Sequence, residues 1–99
     1  MASVLNVSAY LFTHIADPAA LRDVLRERAE GAGLKGTILL AEEGVNLFLA
    51  GAESTVREFL DDLRADARFA ALTAKESWSD GQPFGRMLVK VKREIIRMD

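Results

Sequence analysis

The sequence predicts an α+β sandwich of order β-α-β-β-α-β, with both helices on one face of an antiparallel sheet and one further strand near the C-terminal end. Three observations lead there. Short apolar runs of two-residue period alternate with two stretches of helical period. Two of the strand-like runs, residues 36–42 and 45–50, stand so close together that a hairpin must join them. The chain is 99 residues long, which is one domain's worth and enough for a single core.

The elements follow in order. Residues 5–13, LNVSAYLFT, read as a strand in which Val7, Ala9 and Leu11 alternate with Ser8, Tyr10 and Phe12. Asp17-Pro18 is a helix start, because Asp caps free amides and Pro tolerates the first helical position. Leu21, Val24, Leu25 and Ala29 then share one helical face, with Arg22, Arg26 and Glu30 elsewhere, and Gly31 and Gly33 end the helix. Residues 36–42, GTILLAE, form a second strand, Glu43-Gly44 a turn, and residues 45–50, VNLFLA, a third strand closed by Gly51. Ser54 is the expected cap of a second helix whose buried face is Val56, Phe59, Leu60 and Leu63. A strand is expected at residues 71–78, followed by punctuation at Asp80-Gly81 and Pro83. Residues 86–96, RMLVKVKREII, form the last strand, with Met87, Val89 and Val91 on one side and Leu88, Lys90 and Lys92 on the other. This order is the split βαβ, or ferredoxin-like, pattern, and it leaves one sheet face uncovered. The closing residues still read as ordered structure, so residues 1–99 are expected to be a single domain excised from a longer chain.

Composition narrows the chemistry. With no cysteine, the chain has no disulfide, no thiolate metal site and no cysteine nucleophile. A net charge of −2 is wrong for an indiscriminate nucleic-acid binder. The charge is uneven, however: from Arg86 onward the chain carries Arg86, Lys90, Lys92, Arg93 and Arg97 against Glu94 and Asp99. No signal peptide and no apolar run near the roughly 20 residues of a membrane span are present, so a soluble cytoplasmic protein without a membrane partner is expected.

No catalytic constellation stands out, and no metal site or cofactor is expected in this domain. His14 is the single histidine and reads as a cap or surface residue. Glu42 and Glu43 are adjacent and read as a solvated turn rather than an acid–base pair. Gly44 supplies an unusual torsion in the hairpin, and with Asn46 it makes too weak a signal for a phosphate cradle. The uncovered face is more informative. With Val7, Ala9 and Leu11 facing the helices, and Val45, Leu47 and Leu49 doing the same on the third strand, Tyr10, Phe12 and Phe48 meet on the outer side. Aromatics on such a sheet stack RNA bases, and Lys90 and Lys92 then reach phosphates, with Arg86 and Arg93 as secondary contacts. Two other readings stay open. The aromatics dock a neighbouring domain or lie under the extra strand, and the cations merely guard a sheet edge.

Three segments carry a family resemblance: YLFTHIADP (Tyr10 to Pro18), GTILLAEEGVN (Gly36 to Asn46) and PF-x-RMLVKVKREI (Pro83 to Ile95). In order and spacing they resemble the N-terminal region of bacterial rhodanese-domain proteins that act as tRNA uridine hydroxylases. The resemblance covers nearly the whole chain. It implies an acylphosphatase-like, ferredoxin-like N-terminal domain that supports tRNA binding or packs on a C-terminal rhodanese domain. That second domain carries the active cysteine, and the complete protein makes 5-hydroxyuridine at the wobble position with molecular oxygen. The chain lacks the cysteine, so no catalytic residue transfers to it and the domain alone is expected to be inactive. Acylphosphatase activity needs an arginine in a glycine-rich loop after the first strand. Here that loop reads THIADP, Thr13 to Pro18, with neither residue and with an acid that repels phosphate.

Overall fold

The computed structural model describes residues 2–94. The elements are β1 (Val4–Phe12), α1 (Pro18–Gly31), β2 (Lys35–Ala41), β3 (Gly44–Ala52), α2 (Glu53–Arg64), a 3-10 turn (Ala67–Phe69), β4 (Lys75–Ser79) and β5 (Met87–Val91). The five strands form one sheet in the order β4-β1-β3-β2-β5. The pairings β1–β3, β1–β4 and β2–β3 are antiparallel as expected. The extra strand β5 instead pairs parallel to β2, which makes the sheet mixed. The reason lies in the connection. β4 ends at Ser79 on one sheet edge, opposite Val4, and residues 80–86 cross the end of the sheet to its other edge. The Gln82 amide donates to the Ala50 carbonyl at 3.0 Å and pins this crossing. β5 therefore starts beside Gly36, at the end where β2 also starts, and runs the same way.

Local chemistry explains the helix ends. The Asp17 carboxylate accepts from the Ala20 amide at 3.2 Å, with Pro18 opening α1. At the other end Leu34 N–H reaches the Ala29 carbonyl at 3.0 Å and Gly33 N–H reaches Glu30 at 3.1 Å. That paired arrangement is a Schellman motif, with Gly33 at φ 74° in the left-handed position it requires. α2 differs from expectation: it starts at Glu53 directly from β3, Ala52 occupies the cap position, and Ser54 lies inside the helix. No side chain caps it, and Glu53 in the first turn supplies the favourable charge instead.

The core fills the space between the helices and one sheet face. Leu5, Val7 and Ala9 of β1, Ile38 and Leu40 of β2, Val45, Leu47 and Leu49 of β3, and Val89 of β5 meet Leu25 and Ala29 of α1 and Val56, Phe59, Leu60 and Leu63 of α2. Val24, expected on the buried side of α1, is 43% exposed. The strand expected at 71–78 begins only at Lys75, because Leu72 turns away to join the core. The strand expected over 86–96 ends at Val91; residues 95 and 96, and Arg97, lie outside the described residues. Among the described residues no helix is long and apolar enough to cross a membrane.

Candidate functional site

Strand alternation assigns every sheet residue to a face. The face away from the helices is crossed by rows of paired residues. One row runs Lys75, Ser8, Phe48, Thr37, Leu88, and the next runs Tyr10, Asn46, Leu39, Lys90. Ser77, Asn6, Ala50 and Lys35 form the row on one side, and Phe12, Gly44 and Ala41 that on the other. Tyr10, Phe12 and Phe48 thus share this face, as the alternation of β1 and β3 predicted. Tyr10 and Phe12 are 44% and 56% exposed, and their rings meet edge to face with centroids 6.2 Å apart. Phe48 is half-buried, diagonal to Tyr10 across β1 and β3.

The charges on this face have one sign. Its strand residues include Lys35, Lys75 and Lys90 and no carboxylate. Arg86 and Lys92 continue the ladder at either end of β5: Gly36 N–H donates to Arg86 O at 3.0 Å, and Lys92 N–H to Leu40 O at 2.7 Å. Both keep the alternation of Lys90. Arg93 lies past the end of β5 in a bend and shares no register with the sheet. Lys35 and Lys75 were not singled out from the sequence. Lys75 lies in the segment expected to be a strand, and its parity was the one available signal.

The acids gather elsewhere. Arg57 of α2 bridges Glu53 and Glu76, each at 2.9 Å, on the helical side. Those contacts raise the Arg57 pKa above its usual value, and Arg57 holds the Glu76 carboxyl below the ordinary carboxylate range. Asp66 is held at about 2 by hydrogen bonds from the Arg68 side chain and backbone. A cleft of about 450 Å³ between α1 and α2 is lined by Glu58 and Asp62 with Arg28, a mixed and partly acidic setting.

A groove of about 410 Å³ borders the uncovered face, lined by Tyr10, Asn46, Phe48, Thr73 and Lys75 among others. It exists because β4 pairs with β1 only as far as Lys75 opposite Ser8. Beyond that point β1 is flanked by residues 71–74, which dip to bury Leu72. Asn46, 5% exposed, is a buried polar side chain on a sheet otherwise buried through apolar groups.

The other sequence candidates do not assemble. His14 is exposed in the loop after β1. Glu42 and Glu43 are the two exposed turn residues of the β2–β3 hairpin, and their carbonyls accept from Ile15 and Thr13, both at 2.9 Å. Gly44, at φ 152°, opens β3 rather than forming a cradle. Among the described residues no group of three or more His, Cys, Asp or Glu side chains is placed to hold a metal ion.

Residues 4–95 match the UPF0176 acylphosphatase-like domain family. A protein of Delftia acidovorans named tRNA uridine(34) hydroxylase is 66% identical over 99 residues, all of this chain and 38% of that protein. One of the same name from Variovorax paradoxus is 64% identical, with the same coverage of 100% and 38%. The chain thus spans little more than a third of the length of these curated relatives. Among solved structures, the BLUF protein BlrB superposes with a TM-score of 0.75 at 20% identity, covering 92% of this chain and 74% of that one. Acylphosphatase from Bacillus subtilis superposes with a TM-score of 0.66 at 14% identity, covering 87% and 97%. At such identities these two likenesses speak to the fold.

Proposed function

Because the chain belongs to the UPF0176 acylphosphatase-like domain family, we propose that it is the N-terminal domain of a longer tRNA uridine(34) hydroxylase and that its uncovered sheet face contacts the tRNA. The observation that carries this reading is the sorting of charge. A chain of net charge −2 keeps Lys35, Lys75 and Lys90 on the same face as Tyr10, Phe12 and Phe48, with no strand carboxylate among them. Cations there neutralise phosphates, and exposed rings stack bases. The reading assigns oxygen-dependent formation of 5-hydroxyuridine to the rest of the protein, a rhodanese domain with its cysteine, working in the cytoplasm. It assigns this domain no catalytic residue and no cofactor.

A second role on the same face is packing against that rhodanese domain. The half-buried Leu39 and Leu88 and the exposed Phe12 favour it, because apolar groups at a sheet surface are better covered. A graft separates the two. This chain replaces the matching region of the Delftia acidovorans relative, and the purified chimera is assayed for the rate of 5-hydroxyuridine formation at position 34 over a range of tRNA concentrations. Lys35→Ala combined with Lys90→Ala is expected to raise the KM for tRNA several-fold with kcat retained. Loss of kcat at unchanged KM would assign the face to domain packing instead.

A further inference from the structure

We propose that the groove beside β1 is a slot for one unstacked ribonucleotide base, so that the domain recognises a single-stranded loop of RNA rather than a duplex; this rests on the reading of the uncovered face as the RNA-contact surface. The walls of the groove are suited to a base. Tyr10 and Phe48 offer aromatic surface, on which any base stacks regardless of its identity. Thr73, exposed on the groove wall, adds a hydroxyl that both donates and accepts hydrogen bonds, matching the polar edge of a base. Lys75 on the rim supplies positive charge for the adjoining phosphate. The volume of about 410 Å³ lies in the range of small-molecule pockets and is ample for a single base.

The surroundings select a strand over a helix. In an A-form duplex the bases are stacked inside, and only sugar, phosphate and shallow base edges reach a protein. Rings set in a groove gain nothing from such a surface, whereas a base turned out of a loop enters it. The row that starts at Tyr10 passes through Asn46 and Leu39 and ends at Lys90, three strand spacings or about 14 Å away. A strand laid along that row has its base at Tyr10 and its following phosphates near Lys90 and Lys92. Charge complementarity chooses this occupant over a polypeptide: Lys75 rims the groove and the strand residues of the face carry no carboxylate.

The test compares a labelled stem–loop RNA with a blunt duplex of the same base composition, by fluorescence anisotropy on the 99-residue chain. The stem–loop is expected to bind roughly tenfold more tightly. Tyr10→Ala should abolish that preference, Tyr10→Phe should keep it, and duplex affinity should stay within about twofold in both. Tyr10 is 44% exposed, so neither change should unfold the chain, and an unchanged thermal midpoint verifies it. Phe48→Leu gives a second reading from the other aromatic residue lining the groove. Equal affinity for the two RNAs, or a preference that survives both Tyr10→Ala and Phe48→Leu, overturns the slot. If binding then persists and weakens with salt, the RNA-contact reading of the face stands without it. If neither RNA binds, both ideas fall and the groove is left to a polypeptide partner.

Discussion

Two residues show how local chemistry constrains this chain. Gly36 adopts φ +140°, and a Cβ there would lie 1.9 Å from the Phe48 carbonyl oxygen, a backbone atom that cannot yield. Gly36→Ala therefore combines torsional strain with a backbone clash inside the sheet, between β3 and β5. Urea denaturation should show a loss of more than about 2 kcal/mol. Asp66 provides a pH signature. Its carboxylate accepts from Arg68 Nη2 at 2.6 Å and from the Arg68 backbone at 3.0 Å, which lowers its pKa from 3.8 to about 2. The folded form thus binds a proton less readily than the unfolded one. The stabilisation is complete above about pH 5 and fades as pH falls through 4 toward 2. Asp66→Asn keeps the cap but not the charge. The gap in thermal midpoint between wild type and variant should be constant above pH 5 and close between 4 and 2. At this scale the aromatics of the uncovered face were legible, because the two-residue period decides which side each ring takes. Lys35 was not, since it stands just outside the expected strand, and Lys75 had only its parity within the expected strand to mark it, the pairing register being what sets both on this face.

Among the elements, the hairpin and both helices could be read from periodicity, because each buries one clear apolar face. The two late strands could not be placed that way. β4 has four exposed residues out of five, so nothing in its own pattern selects the edge of β1 over any other position. The parallel approach of β5 depends on how residues 80–86 cross the sheet end, a matter of loop path and the Gln82 contact. β5 is also an edge strand, and its hydrogen bonds to β2 use Arg86 and Lys92, in step with Leu88 and Lys90. Met87, Val89 and Val91 therefore turn their backbone groups outward. Arg26 of α1 donates to the Val89 carbonyl at 3.0 Å and occupies the middle of that edge. Edge strands left open recruit other strands, and a charged side chain across one discourages it. Arg26→Ala should cost about 1 kcal/mol and bring concentration-dependent self-association in sedimentation velocity. A monomer indistinguishable from wild type would show that the edge needs no guard.

On the scale of the whole molecule, the sandwich separates two surfaces. The helices cover one side, α1 charge-balanced and α2 acidic, and the other side presents Tyr10, Phe12 and Phe48 among lysines. The split follows from topology: two helices cover a single face of a five-stranded sheet, and the uncovered face holds whatever the strands place at alternate positions. Composition alone pointed away from RNA, because a net charge averages over both sides. The most direct measurement is a titration of the ¹⁵N-labelled chain with an anticodon stem–loop at low salt, followed by amide chemical shifts. Shifts are expected at Tyr10, Asn46, Phe48, Lys75 and Lys90, with α1 and α2 silent. Shifts confined to the helices, or none at millimolar RNA, would contradict the assignment of the uncovered face to tRNA.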